Sequence, residues 1–220
     1  MPRKVRLGIL TPSSNTSLEP LTQAIIACLP NVSVHFSRFR VLKISLDKDG
    51  LNQFQNENIV AAAQLLADAE VDVIGWSGTS SGWLGFEADE KLCADITAAT
   101  GIPATTSVLA LNKAAQEFGV KELGLVTPYT DDVQEAIIRT YSTIDEPTLD
   151  GMVGEVAGKG VQAITTFCTN LRAAQRVAYW EKEYNVPVFD TVATVIWEML
   201  RMCEVEMSPL QGWGMLFTKP

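Results

Sequence analysis

The sequence predicts an α/β fold built from two related, pseudo-symmetric lobes, each a parallel β-sheet flanked by helices, with an active site in the cleft between them. Short apolar runs of strand length alternate with longer segments of helical periodicity, which is the pattern of parallel α/β architecture. Several of the apolar runs stop abruptly at hydroxyl and amide residues. A third observation is internal: the series of strand motifs in residues 7–107 returns in residues 123–191.

The first half reads in order as strands that alternate with helices. Apolar runs bounded by polar loops predict the strands, and apolar residues at helical spacing predict the helices. The stretch that leads to about residue 52 has neither pattern and is predicted to be a loop. The predicted strands are 5–10, 32–36, 71–76 and a short one after 101–103, and the predicted helices are 18–29, 58–69, 87–100 and 108–118.

Three echoes in the same order relate the second half to the first. Residues 7–12 return at 123–128, residues 71–79 at 161–169, and residues 101–107 at 185–191. Three ordered echoes are improbable by chance, so we infer an internal duplication. We predict a first lobe of residues 1–112, a second lobe of 113–198, and a return of 199–220 to the first lobe, with a strand over 213–217.

The second half is shorter than the first. The offset between echoes falls from 116 residues at the first pair to 90 at the second. The counterpart of the 32–36 strand is therefore missing from the sequence. Either the second sheet is smaller, or a segment near Ile144-Asp145 is left out of the sequence given.

Composition and charge exclude several classes of protein. The formal net charge is -9 and no run of Lys and Arg extends beyond Arg3-Lys4, so we expect no nucleic-acid partner. No secretory signal and no run of about 18 apolar residues is present, so we expect a cytoplasmic protein that does not enter a membrane. The four cysteines contain no Cys-x-x-Cys pair and are expected to be reduced thiols.

Cys168 differs from the other three cysteines in its position. Cys28, Cys93 and Cys203 fall on the apolar stripes of predicted helices, where cysteine behaves as a small apolar residue. Cys168 ends a strand and precedes residues 171–184, which we predict to be a helix. The N-terminal end of a helix offers N–H groups and a dipole that favour a thiolate. We therefore predict a nucleophile or an acid-base group, with a fourth packing cysteine as the alternative.

The carboxyl ends of the predicted strands are expected to meet in one cleft. They carry residues 11–15, 77–80, 127–132 and 168–170, which supply hydroxyls, amides, one tyrosine and one thiol. Such neutral donors suit an anion, above all a carboxylate. The only histidine, His35, shares a strand face with serines, so we expect no metal site and no Ser-His-Asp triad unless His35 serves.

Simpler roles stay open for several of these residues. Thr79 and Ser80 are also suited to cap a helix, and Tyr129 is also suited to pack between the lobes. The nearby glycines match neither the dinucleotide fingerprint nor the phosphate-binding P-loop, so we do not expect a nucleotide.

Together, the four loops resemble the aspartate/glutamate racemase superfamily, in particular its branch of maleate cis-trans isomerases and arylmalonate decarboxylases. The first loop is similar to that of the isomerases, two loops are similar to the carboxylate-binding loops of the decarboxylase, and the last is similar to the superfamily's second-lobe cysteine motif. In that order they are Pro12-Ser13-Ser14-Asn15-Thr16, then Gly78-Thr79-Ser80 and Tyr129-Thr130-Asp131-Asp132-Val133, then Phe167-Cys168-Thr169-Asn170-Leu171.

The resemblance implies chemistry without a cofactor or a metal. Racemases of this group use two cysteines, one in each lobe, but the internal echo places Gly78 opposite Cys168. A first-lobe glycine with a second-lobe cysteine resembles the decarboxylase. The implied reaction is loss of carbon dioxide from a malonate-type diacid, which leaves an enediolate that Cys168 protonates.

The resemblance also implies the residues that hold the substrate and the enediolate. The implied donors to the enediolate are Thr79, Ser80, Tyr129 and the backbone N–H of Thr169, with Gly78, Pro12 and Ser13 also lining the substrate. Asn15 instead follows the isomerases and racemases, in which it holds a substrate carboxylate.

Three functions therefore stay open. They are a decarboxylase (a lyase), an isomerase or racemase of the same superfamily, and a non-catalytic protein that binds carboxylates. In each case the partner is a small carboxylate or dicarboxylate, and a homodimer is an expectation carried over from the family.

Overall fold

Two parallel β-sheets form the framework of the protein, which a computed structural model describes over residues 3–41, 56–127 and 146–219. The first sheet has the strand order β2-β1-β3-β4 and the second has the order β5-β6-β7. All strand pairings are parallel. The strands are β1 (Val5–Pro12), β2 (Val32–Phe39), β3 (Val73–Trp76), β4 (Ala104–Thr106), β5 (Leu123–Val126), β6 (Ala163–Thr166) and β7 (Val188–Asp190).

Helices connect the strands and cover the sheets, which confirms the predicted α/β class with two parallel sheets. In the described residues no helix is both long enough and apolar enough to cross a membrane. The helices are α1 (Leu18–Ile26), α2 (Asn56–Asp68), the single turn α3 (Ser81–Leu84), α4 (Phe86–Thr100), α5 (Ser107–Glu117), α6 (Glu146–Ala157), α7 (Val177–Tyr184) and α8 (Thr191–Met202).

The order of the strands repeats between the two sheets, as the sequence echoes predicted. The order β1-β3-β4 in the first sheet matches β5-β6-β7 in the second, and each echo falls on a matching pair of strands. The first sheet has one further strand, β2, on the outer side of β1. No counterpart of β2 is present in the part of the chain that the structure describes. The proposed lobe boundaries themselves stay a prediction.

Helix α8 lies in the core that the two halves share. Every residue from Thr191 to Leu200 is buried, and α8 packs on α5, the matching helix of the first half. The hydroxyl of Thr194 donates to the carbonyl of Ser107, the first residue of α5, over 2.9 Å. Close packing of this kind removes a large apolar area from water.

The contact between α8 and β3 requires a glycine in the strand. A β-carbon at Gly75 would lie 2.8 Å from Val195 Cγ2 and still closer to the sulfur of Met199. These distances are far below normal contact, so any side chain at position 75 would push α8 away from the sheet.

The strand predicted over residues 213–217 is wrong. Two 3₁₀ helices, Ser208–Trp213 and Met215–Thr218, occupy this region. Between them Gly214 has a φ of 108°, which takes the chain out of the extended conformation. The segment contacts α1 of the first half and also α7 and β7 of the second.

Candidate active site

Three of the four predicted site loops lie in the described part of the chain. They follow β1, β3 and β6 at the carboxyl ends of the strands, where parallel sheets present their binding residues. The fourth loop follows β5 and carries Tyr129, which lies outside the described residues. The site is therefore built below from the loops of residues 11–17, 77–82 and 167–171.

Asn15 is held in one orientation by the start of helix α1. Its side-chain oxygen accepts hydrogen bonds from the backbone N–H groups of Ser17 and Leu18, each over 3.0 Å. This arrangement fixes which end of the amide is the donor, because only the oxygen can accept both bonds. The amide nitrogen then points at Thr169, and its distance to the Thr169 hydroxyl oxygen is 3.2 Å.

Thr169 connects the loops of both halves. It accepts the bond from Asn15, and its own hydroxyl donates to the carbonyl oxygen of Ser77 over 3.4 Å. A parallel contact joins the backbone N–H of Thr16 to the side-chain oxygen of Asn170 over 3.3 Å. The loops after β1, β3 and β6 are thus brought together, as the sequence predicted.

Phe167 adds an apolar contact to the same junction. A β-carbon at Gly82, in the turn α3, would lie 2.6 Å from two atoms of the Phe167 ring. The ring therefore rests directly on the glycine backbone. Since Phe167 and Thr169 both contact the first half, Cys168 lies at the junction between the halves.

Cys168 is buried, with an exposed fraction of 5%. It packs in the apolar core of the second half, together with Val126 and Leu171. The backbone N–H of Asn170 donates to the sulfur over 3.4 Å. Such a donor offsets part of the cost of placing negative charge on sulfur in apolar surroundings after the proton has left.

The prediction that a helix spans residues 171–184 is wrong at its start, because the helix begins later in the chain. Residues 169–172 form a turn and a bend, a 3₁₀ turn follows at Ala174–Arg176, and α7 begins only at Val177. The hydrogen bonds that Thr169 and Asn170 make with the first half hold this segment away from a helical path. The N–H that reaches the thiol therefore belongs to a tight turn and not to a helix terminus.

The other three cysteines are not part of these loops, and all four cysteines are free thiols. Burial, with the nearby charge of Asp89, raises the pKa of Cys93 to about 12. Burial, with the charge of Asp72, raises the pKa of Cys203 to about 11. The prediction that Cys28 packs on an apolar stripe is wrong, because α1 ends at Ile26 and Cys28 is exposed.

Gly78 leaves no room for a side chain. A β-carbon at this position would lie within 3.0 Å of three atoms of the Trp76 indole, the nearest ones well inside van der Waals contact. Trp76 is itself buried, with an exposed fraction of 1%, and its ring centroid is 5.1 Å from that of Phe39.

The hydroxyl residues after Gly78 are buried without capping a helix. Thr79 and Ser80 are 7% and 6% exposed. Ser80 occupies the position before α3, but its side chain makes no capping hydrogen bond, so the simple capping role is not observed. The adjacent hydroxyl of Ser77 is fully buried and has no hydrogen-bond partner in the described structure.

Ser13 takes part in the scaffold of the first loop. Its hydroxyl donates to the carbonyl of Val41 over 3.3 Å and accepts from the Val41 N–H over 3.1 Å. The Arg38 guanidinium donates to the carbonyls of Ser13 and Asn15 over 2.9 and 3.1 Å. These bonds fix the backbone that follows Pro12, and a substrate contact from Ser13 would have to compete with Val41.

Asp89 is a buried carboxylate that the sequence analysis missed. Its Oδ2 accepts from the hydroxyl of Ser81 over 2.7 Å and from that of Thr106 over 2.5 Å. Burial raises the pKa of Asp89, and the two hydroxyl donors oppose that effect only in part. The carboxylate ties the loop after β3 to the end of β4. The sequence pattern could have indicated a buried carboxylate, because Asp89 shares a helical face with the apolar Leu92 and Ile96.

Asp190 is a second buried carboxylate, in the second half, and was also missed. It ends β7, as Thr106 ends β4, and its Oδ1 accepts from the N–H groups of Val192 and Ala193 at the start of α8. Its Oδ2 accepts from the hydroxyl of Thr166 over 2.7 Å. Complete burial raises the pKa of Asp190 to about 6, although all three donors oppose this.

The described residues contain no group of three or more His, Cys, Asp or Glu side chains arranged to hold a metal ion. The donors that the loops do bring together are an amide, several hydroxyls and backbone N–H groups, with one thiol. Chemically, this set is able to bind carboxylate oxygens and to exchange one proton.

The chain is similar to known proteins that are named for two activities. The sequence profile described as arylmalonate decarboxylase matches residues 32–152. A maleate isomerase of Pseudomonas putida KT2440 is 24% identical over an alignment of 239 positions, which covers 94% of each chain. The arylmalonate decarboxylase of Bordetella bronchiseptica is 24% identical over 185 positions, covering 73% of this chain and 77% of the relative.

A solved structure has the same fold over the whole chain. It is the liganded form of an arylmalonate decarboxylase variant in which one glycine is replaced by cysteine and one cysteine by serine. The TM-score is 0.82 at 20% identity, and the match covers 99% of this chain and all of that one.

Proposed function

Because this chain belongs to the arylmalonate decarboxylase family, we propose that it is a cofactor-independent enzyme that decarboxylates a substituted malonate-type diacid. The proton that replaces the lost carboxyl group comes from Cys168. The observation that carries the proposal is that Gly78, which the internal echo pairs with Cys168, has no space for a side chain.

This pairing favours a reaction that needs one proton donor. Exchange of a proton on both faces of a carbon requires an acid-base group on each side of the substrate. The loop after β3 offers only hydroxyls near position 78, and unassisted alcohols are too weakly acidic to replace a thiol. Decarboxylation followed by protonation on one face needs only Cys168.

The reaction begins with loss of carbon dioxide from the bound diacid. The bond between the α-carbon and one carboxylate breaks, and its electron pair moves onto the other carboxyl group to form an enediolate. Hydroxyls of Thr79 and Ser80 with the N–H of Thr169 are the proposed donors to its two oxygens. Each fixed donor of this kind contributes about 3 kcal/mol to the transition state.

Protonation then completes the reaction. The thiol of Cys168 gives its proton to the α-carbon, and the N–H of Asn170 holds the resulting thiolate. Water returns a proton to the sulfur, so one proton is taken up for each carbon dioxide released. One acid on one side predicts a single enantiomer when the α-carbon carries two different substituents.

Asn15 is the proposed donor to the carboxylate that the substrate retains. In the structure, its amide nitrogen is satisfied by the Thr169 hydroxyl. A carboxylate accepts a stronger hydrogen bond than a hydroxyl does, so a substrate oxygen is expected to replace Thr169 as the acceptor. Tyr129, which lies outside the described residues, stays a proposed donor to the enediolate.

The test is proton NMR of the purified protein with phenylmalonate in deuterium oxide. The expected product is monodeuterated phenylacetate, with no product from Cys168→Ala. Cys28→Ser is the matched control, because that thiol is exposed and follows the C-terminal end of α1, whereas the loop of Asn15 precedes this helix, and its rate should equal that of the wild type. Lack of carbon dioxide release from a panel of aryl- and alkylmalonates would refute the proposal.

A second candidate is a maleate isomerase, and the orientation of Asn15 favours it. An amide fixed towards the second half is what a dicarboxylate such as maleate needs at one end. A relative named maleate isomerase also covers 94% of the chain. Fumarate formed from maleate in the same NMR experiment would select this function over the decarboxylase. Binding of either acid without turnover would indicate the non-catalytic alternative.

A further inference from the structure

We propose that Trp76 is a specificity-determining residue, because its indole occupies the space that any side chain at position 78 would need. Trp76 thereby keeps the first half of the site without a second acid-base group. The inference rests on the proposed function, in which Cys168 is the only proton donor.

The contact between Trp76 and position 78 is too close for adjustment. The ideal β-carbon at Gly78 would lie 2.7 Å from Trp76 Cη2 and closer still to Cζ2 and Cε2. Real β-carbons essentially never come within 3.0 Å of such atoms. A cysteine adds a sulfur beyond the β-carbon, so the clash reaches further than it does for alanine.

The indole is not free to turn away. Trp76 ends β3, where its backbone pairs with Leu10 on one side and Thr106 on the other. Its side chain packs in an apolar cluster with Leu10 and Leu92, and its ring is tilted by 53° against that of Phe39. Moving a large, fully buried aromatic ring would break these contacts and open a cavity.

The Trp76 indole would therefore keep a second thiol from being placed at position 78. A single change of Gly78 to cysteine is not enough to create a two-thiol site, because the new side chain and the indole compete for the same volume. A smaller residue at position 76 is needed first. The preference for one-sided protonation is therefore fixed by a pair of residues and not by the glycine alone.

The first test is a thermal-unfolding cycle that does not depend on any activity. Gly78→Ala should lower the Tm by about 3–10 °C, the size expected for overpacking a core in a chain of this length. In the Trp76→Leu background, the same change should lower the Tm by less than about 2 °C. Gly151→Ala is the matched control, since a β-carbon there meets no atom within 4 Å, and its Tm should not fall. Equal losses in the two backgrounds would overturn the proposal.

The second test measures proton exchange on both faces of a carbon. Gly78→Cys and the double variant Trp76→Leu/Gly78→Cys are incubated in deuterium oxide with each enantiomer of 2-phenylpropionate. Deuterium uptake with racemisation is expected at least about tenfold faster for the double variant. Equal exchange rates for the two variants, with Gly78→Cys keeping the wild-type Tm, would overturn the role of Trp76.

The two proposals fail in different ways. If the wild type releases no carbon dioxide from any malonate, the decarboxylase function fails, while the Tm cycle still decides whether Trp76 excludes a side chain at position 78. If decarboxylation is observed but the Tm losses are equal in both backgrounds, only the role of Trp76 fails.

Discussion

The side-chain amide of Asn15 donates a hydrogen bond to the hydroxyl of Thr169 over 3.2 Å, although 154 residues of sequence separate the two. The same hydroxyl donates onward to Ser77, so one buried chain of hydrogen bonds crosses between the loops of both halves. Both residues belong to the proposed substrate site, and their mutual contact therefore couples the stability of the interface to the binding of ligand.

The first prediction concerns this contact. Thr169→Val keeps the shape of the side chain but leaves the Asn15 amide and the Ser77 carbonyl without their partner, and it should cost about 1–2 kcal/mol in urea unfolding. The KM for the substrate should fall, because Ser17 and Leu18 still orient the Asn15 amide and the substrate carboxylate no longer has to displace the Thr169 hydroxyl from it. Asn31→Ala removes an exposed amide that donates to Arg3 and is the control, with a cost below about 0.5 kcal/mol.

A variant of Asn15 separates its two roles. Asn15→Asp keeps an oxygen for the N–H groups of Ser17 and Leu18 but replaces the donor with a negative charge. Stability should fall by less than about 1 kcal/mol, whereas the KM for a dicarboxylate should rise by about tenfold or more through repulsion. An unchanged KM would show that Asn15 does not face the substrate carboxylate.

The third prediction concerns Asp89 as a positioning residue. Asp89→Asn weakens the bonds from Ser81 and Thr106, so the loop that carries Thr79 and Ser80 loses its anchor. Steady-state kinetics should show kcat/KM reduced by about tenfold through misplaced donors. Asp95→Asn, on the same helix but paired with Lys91 and Asn56 near the surface, is the matched control and should keep the wild-type kinetics. Rates that fall equally in both variants would point to a general weakening of α4.

The fourth prediction is a dependence of stability on pH that arises from Asp190. Its pKa is about 6 in the folded protein, above the ordinary aspartate value of 3.8, so the folded state holds the proton more tightly than the unfolded state does. Stability from this group is greatest below about pH 4 and is lost as the pH rises towards 6, by about 3 kcal/mol in total.

Asp190→Asn tests this dependence directly. The amide keeps an oxygen for the start of α8, so the variant should lack the loss between pH 4 and 6 when unfolding is followed in urea. Asp72→Asn is a control, because the stability that Asp72 contributes should depend on pH in the opposite direction. Partial burial raises the pKa of Asp72, but the bonds from the Arg6 N–H and the Arg3 guanidinium outweigh it and lower the pKa overall. The stability that Asp72 contributes is present above its unfolded pKa and is lost as the pH falls.

The fifth prediction ranks the reactivity of three thiols. At pH 8, iodoacetamide should modify Cys28 first, because it is exposed. Cys93 and Cys203 should react far more slowly, since burial raises the pKa of each to about 12 and about 11 and leaves almost no thiolate. Peptide mapping by mass spectrometry measures the order, and Cys28→Ser should remove the fast phase without affecting turnover.

Part of the fold could be predicted because the internal duplication is visible in short sequence motifs at the strands. Strand motifs such as residues 7–12 and 123–128 are similar enough to align by eye, and parallel order follows from their alternation with helices. The position of Cys168 at a strand end follows from the same pattern. The echo between residues 101–107 and 185–191 likewise predicted that β4 and β7 occupy equivalent places in the two sheets.

The features that could not be predicted depend on contacts between distant residues. Residues 171–184 have the apolar spacing of a helix, but the helix begins only at Val177. Hydrogen bonds from Asn15 and Thr16 hold Thr169 and Asn170, which precede this segment, in a turn. The direction of the Trp76 indole is likewise invisible in sequence, because it depends on Phe39 in another strand. Asp89 was missed because its partners, Ser81 and Thr106, come together only after β3 and β4 pair.

The burial of α8 has a consequence for synthesis of the protein. As the chain leaves the ribosome, β1 and β3 emerge well before the helix whose Met199 and Val195 cover Gly75. Until that helix arrives, one face of the first sheet stays open to water and to other nascent chains. Translation that stalls before residue 191 therefore leaves an intermediate that is prone to aggregation, because the helix that covers this face is made after the strands that it protects.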